Sequence, residues 1–65
     1  MYYYIIYDRG DGECGLYSFS RSGCGVSDYA DFAFKGRNWI VKQLSDNYFV
    51  ALAEARVIWE RERGN

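Results

Sequence analysis

The sequence contains no histidine and no proline. Without His the chain lacks the commonest general base and the commonest neutral metal ligand. Without Pro it has no slow isomerisation step and no polyproline docking segment. An excess of one charge is missing too: eight basic and nine acidic side chains leave a formal net charge of −1. Proteins that grip duplex nucleic acid by its phosphates usually carry a clear basic excess, so direct nucleic-acid binding is disfavoured. No apolar run approaches the roughly 18 residues that span a bilayer. The start, Met1-Tyr2-Tyr3-Tyr4, has neither the basic stretch nor the small-residue cleavage site of a secretion signal. These absences set the expectation of a cytoplasmic protein with no membrane contact.

Cysteine is scarce as well, with only Cys14 and Cys24. Two thiols cannot complete a four-ligand zinc site without His or further Cys. A disulfide across the first hairpin is geometrically feasible, but two reduced thiols beside glycine-rich turns is the favoured reading. The acids do not fit a calcium loop either: counting from Asp8, the third and fifth positions are Gly10 and Gly12, where ligands are required. No metal and no cofactor is expected. A nucleophile would lack an activating base, and no glycine-rich phosphate loop precedes a helix with Lys, so an enzyme is not expected.

What is abundant is apolar and aromatic surface. Hydrophobic residues make up 49% of the 65 and aromatic ones 20%, including seven Tyr, four Phe and two Trp. A chain this short buries only about 60% of its unfolded surface, so a dense core is needed for one small domain, 1–65, to fold. A disordered chain would be poor in such residues.

Tyr2 to Tyr7 is β-branched and aromatic throughout, which suits a strand. Both of its faces are apolar, so the strand is expected to be central or covered on both sides. Asp8 to Gly15 reads as a loop, and Leu16 to Arg21 as a strand returning antiparallel, with Tyr17 and Phe19 alternating against Ser18 and Ser20. Ser22-Gly23-Cys24-Gly25 reads as the next turn. The stretch 27–35 fits a short helix capped by Ser27 or the first arm of a hairpin of 31–35 and 39–44; the hairpin is preferred, because Phe32 and Phe34 alternate around Ala33 and Gly36-Arg37-Asn38 makes a turn. Ser45-Asp46-Asn47 offers capping residues for a helix from Tyr48 to Arg63, with Gly64 as its stop. Tyr48, Ala51, Leu52, Ala55, Ile58 and Trp59 form its sheet-facing stripe. The expected fold is α+β, a small antiparallel sheet of three or four strands packed against one C-terminal helix.

The helix carries a second apolar set, Phe49, Val50, Ala53 and Val57, on the side away from the sheet. A helix lying on a sheet is normally polar there, so another surface is expected to cover it: a loop of the same chain, a partner protein or a second copy. Tyr2, Tyr3 and Tyr4 add amphipathic contact area of the kind that gathers in interfaces. Asp8, Asp11, Glu13, Asp28 and Asp31 precede residue 32 against only two arginines, so an acidic end of the sheet could dock on a basic surface. Lys35, Arg37 and Lys42 flank Trp39, the pattern that tracks a phosphate backbone and stacks a base; this gives the alternative of a small nucleic-acid-binding or regulatory domain. A third option is a homo-oligomeric structural protein.

In general character the chain resembles the small phage or mobile-element proteins that inhibit bacterial defence systems, such as anti-CRISPR proteins. The resemblance rests on size, mixed strand–helix order, Tyr2-Tyr3-Tyr4 and the acidic turns, and on no motif, so no residue role is carried over. It implies a non-enzymatic protein–protein interaction module that acts stoichiometrically on a nucleic-acid-handling defence complex, in the host cytoplasm.

Overall fold

The computed structural model describes residues 2–20 and 25–64. Tyr3–Asp8 form β1, Cys14–Phe19 β2, Val26–Ala33 α1, Trp39–Lys42 β3 and Tyr48–Glu62 α2. The three strands make one antiparallel sheet in the order β2-β1-β3. The strand with two apolar faces is thus the central one. Ile6 lies opposite Leu16 and Ile40, and Ile5 opposite Tyr17 and Val41. Ile5 and Ile6, which face opposite sides, are both 0% exposed. Burying each of these side chains stabilises the fold by about 1.5–3 kcal/mol.

One face of the sheet is covered by α2. Ile6 and Cys14 pack with Ala55 and Trp59, and Leu16, Ile40, Leu44 and Ile58 close around them. The other face is covered by α1, whose Val26 and Ala30 meet Ile5 inside a ring of Tyr3, Phe19, Tyr29, Phe34, Trp39 and Val41. The molecule is therefore a three-layer stack of helix, sheet and helix.

α1 overturns the preferred hairpin of 31–35 and 39–44. Gly25 sits in the left-handed region at φ 85 and accepts the first helical hydrogen bond from the Tyr29 N–H at 3.0 Å. Ser27 lies inside the helix and caps nothing. The i, i+4 pair Val26 and Ala30 buries because the Ile5 face needs a cover. The Phe32/Phe34 alternation was not a strand signal: Phe32 points out, 83% exposed, while Phe34 just past the helix turns in. β3 consequently pairs with β1, from Tyr7↔Trp39 to Tyr4↔Lys42.

β2 begins at Cys14, two residues before the expected Leu16. The reason is the pairing of Gly15 with Tyr7. The Tyr7 ring lies over the space a side chain at 15 would fill: a Cβ there would come 2.3 Å from the Tyr7 Cζ. The same ring stacks on Phe34 with centroids 4.2 Å apart. In the intervening loop the Asp8 carboxylate accepts the Gly10 N–H at 2.8 Å and the Asp11 carboxylate accepts the Glu13 N–H at 3.0 Å. Residues 21–24, with the expected glycine turn and any pairing of Cys24, lie outside the described residues; Cys14 is a free, buried thiol.

α2 starts where its cap dictates. The Asn47 side-chain oxygen accepts the N–H groups of Phe49 and Val50, at 3.0 and 3.2 Å, satisfying two otherwise orphaned donors. Ala51, Ala55 and Trp59 are buried and Leu52 and Ile58 half-buried, as the stripe predicts, but Tyr48 is exposed. The C-terminal turn is tied to the β1–β2 loop by the Arg63 guanidinium donating to the Gly12 carbonyl. An exposed Arg56–Glu13 ion pair at 3.6 Å adds a further link, worth about 0–1 kcal/mol.

Gly15→Ala is expected to lower stability by about 1–3 kcal/mol, because a ring backed by Phe34 must move. In a Tyr7→Ala background the same change should cost little. Urea denaturation of the four proteins of this double-mutant cycle measures the coupling; an uncoupled pair would mean the ring does not depend on that space.

Candidate interaction surfaces

The outer face of α2 is apolar and uncovered. Phe49 is 78% exposed, Val50 50% and Val57 61%, with Ala53 exposed between them. No other described segment lies over this row, so the expectation that a loop of the same chain folds across it finds no support among the described residues. Tyr48 joins its N-terminal end, edge-on to Phe49 with centroids 5.6 Å apart. Beside it, Glu54, Val57, Ile58 and Arg61 line a shallow groove of about 270 Å³.

The tyrosines at the start of the chain separate. Tyr4 is buried on the α2 side of β1, on the face of Ile6, and belongs to the core; it cannot serve as a contact residue. Tyr3 is half-buried against the α1 layer, and Tyr2 is exposed. Neighbouring side chains on a strand alternate, so Tyr3 and Tyr4 cannot share one surface.

The five acids also divide. Asp8, Asp11 and Glu13 are together in the β1–β2 loop. α1 runs from the Phe19 end of the sheet toward that loop, since Tyr29 packs on Phe19 and Phe34 on Tyr7. Asp28, in its first turn, is therefore at the opposite end, and Asp31 lies exposed along the helix. Arg9 and the contacts of Arg56 and Arg63 further dilute the loop's negative charge. The expected single acidic end does not form.

The basic cluster disperses in the same way. Lys35 and Arg37 sit in the α1–β3 connection, at the end of the sheet where the Asp8 N–H donates to the Asn38 carbonyl. Trp39 is half-buried in the α1 layer. Lys42 is three residues along β3, about 10 Å away, on the other face of the strand, beside Tyr4. Among the described residues no ring is flanked by three cations.

Between the start of β3 and the end of α2 lies a cleft of about 320 Å³ lined by Asn38, Trp39, Ile40, Trp59, Glu62 and Arg63. The indole N–H of Trp59 is buried there without an acceptor among the described residues. The cleft offers one carboxylate and one guanidinium, and that guanidinium already engages Gly12. Among the described residues no cluster of His, Cys, Asp or Glu could hold a metal ion, and no helix is long and apolar enough to cross a membrane.

Comparison with protein-family models, curated proteins and solved structures finds no match to this chain. Its surfaces are therefore read from their own chemistry.

Two features escaped the sequence reading. Phe32 is an exposed aromatic on α1, on the face of the sheet opposite α2; it becomes visible only once 26–33 is drawn as a helix, where it falls away from Val26 and Ala30. The second is an aromatic cluster on the α1 side: the Tyr29 hydroxyl donates to that of Tyr17 at 2.9 Å, with the rings 5.5 Å apart. This hydrogen bond holds the Tyr29 phenol above its ordinary value of 10.0, and desolvation and the neighbouring Tyr17 act in the same direction.

Because the folded form retains this proton longer, the stabilisation is full below pH 10 and is lost as pH rises through the raised folded value. Tyr17→Phe should shift the late-titrating tyrosine absorbance to lower pH. An unchanged titration curve would remove the hydroxyl pair as its cause.

Proposed function

We propose that the chain is a non-enzymatic protein-interaction module that works by occupying a surface, and that it docks through the outer face of α2. The observation that supports this reading is the row Phe49, Val50, Ala53 and Val57. It is left exposed after α2 has already buried a separate stripe, Ala51, Ala55 and Trp59, on the sheet. Folding does not need the outer row, and exposed apolar side chains in a continuous patch mark interaction sites. Phe49 and Tyr48 supply the large rings that dominate interface energetics.

Stoichiometric inhibition of a nucleic-acid-handling defence complex is one form this activity can take, and the exposed carboxylate of Asp11, in the loop tied to the end of α2, would then meet basic surface at the rim. The nucleic-acid alternative is weakened by the dispersal of Lys35, Arg37, Trp39 and Lys42 over two faces of the sheet.

The test is an affinity capture from nuclease-treated bacterial lysate with wild type and Val57→Asp. The expected result is a stoichiometric protein, a copy of this chain included, held by wild type and lost in the variant, while the variant's circular dichroism and melting temperature stay within a few degrees of wild type. Retention of nucleic acid alone, lost on Lys35/Arg37/Lys42→Ala and steeply salt-dependent, would contradict the proposal.

A further inference from the structure

We infer that the occupant of the α2 outer face is a second copy of the chain, docked as an antiparallel helix pair about a two-fold axis between Ala53 and Glu54. The inference rests on the interaction-module reading and names its partner. It follows from the order of side chains along the exposed row. At 100° per residue, Phe49, Ala53, Val57 and Val50 fall within an arc of about 100°. Ala53 is at the middle of the row, with Val50 and Phe49 one turn toward the N-terminus and Val57 one turn toward the C-terminus. Exposed Asp46, just before the Asn47 cap, and exposed Arg61, in the last turn, stand at the two ends.

A two-fold axis between Ala53 and Glu54 turns this order onto itself. Val50 meets Val57 of the second copy, and Phe49 meets the Val57–Ile58 edge of the second copy. Ala53 stands beside its own equivalent, offset by one residue's rise of about 1.5 Å, where two methyl groups let the helices approach closely. Asp46 faces Arg61 of the second copy, twice, and Glu60 faces the Asn47 cap of the second copy at the positive end of that helix. Among the described residues neither Asp46 nor Arg61 has an ion-pair partner within its own chain; the ion pair there is Arg56–Glu13. A parallel alignment would instead set Asp46 against Asp46 and Arg61 against Arg61. The row is thus self-complementary in shape and charge in one orientation, which is what an isologous interface requires. An unrelated partner would not need the ends of the row to carry opposite charges at equal distances from a point between Ala53 and Glu54.

The contact is short. α2 has 15 residues, so the shared strip is about 22 Å long and falls at the low end of specific interfaces. Glu54 at the border comes near its own copy across the axis, a repulsion that weakens the pair further. The dimer is accordingly expected in the micromolar range or weaker, in exchange with monomer.

Sedimentation equilibrium from about 10 µM to about 1 mM reads this directly. Wild type should move from monomer to dimer across the range. Asp46→Arg and Arg61→Asp should each weaken association at least tenfold, and the double variant Asp46→Arg/Arg61→Asp should recover it. Both substitutions place the wrong charge at a helix end, so recovery in the double variant cannot come from better folding; circular dichroism of each variant checks that α2 is retained. Wild type that stays monomeric at every concentration overturns the inference. If Val57→Asp still abolishes capture of another protein in that case, the interaction-module reading survives with a different partner; if it changes nothing, both fall. A dimer that ignores the charge reversals also overturns the antiparallel arrangement.

Discussion

Everything in this fold depends on one strand being buried on both of its faces. Ile5 and Ile6 are adjacent in sequence and point to opposite sides of β1, yet neither is exposed. A sheet of three strands cannot shield both sides by itself, so each side requires a helix. The order of elements then follows: α1 is spent between β2 and β3 to cover the Ile5 face, and α2 follows β3 to cover the Ile6 face. Glycine makes room for this at two decisive positions. Gly15 lets the Tyr7 ring lie flat across β2 and reach Phe34, and Gly25 lets the chain enter α1 directly in a left-handed conformation.

The sequence disclosed the parts that rest on local chemistry. β1 was legible because aromatic and β-branched residues leave few alternatives, and its central position was legible because both faces are apolar. α2 was legible because its cap, its period and its stop signal agree. The boundary of β2 was not, since a glycine within a strand reads as a turn until the cross-strand ring that fills its space is known. The preference for a hairpin over a short helix in the stretch 27–35 failed for a related reason. Phe32 and Phe34 sit two apart, which imitates a strand, and the decisive residues, Val26 and Ala30, are small and earn their helical conformation only by burial against Ile5.

The same contrast governs the surfaces. The outer row of α2 was visible in the sequence because it is a property of one helix. The acidic and basic clusters were groupings by sequence proximity across several elements, and the topology scattered them: Asp28 to the opposite end from Asp8, and Lys42 to the opposite face from Trp39. Tyr4 belongs to the core for the reason that made β1 central. What remains is one helix apolar on two sides, one side packed on the sheet and the other exposed.

The central claim is that α2 assembles through this outer side while the core stays as it is. Backbone amide chemical shifts followed by NMR over a dilution series test it residue by residue. The account predicts concentration-dependent shifts at Phe49, Val50, Ala53 and Val57, with Ile5, Ile6 and the α1 amides unchanged. Shifts confined to α1 around Phe32, or none at any concentration, would contradict it.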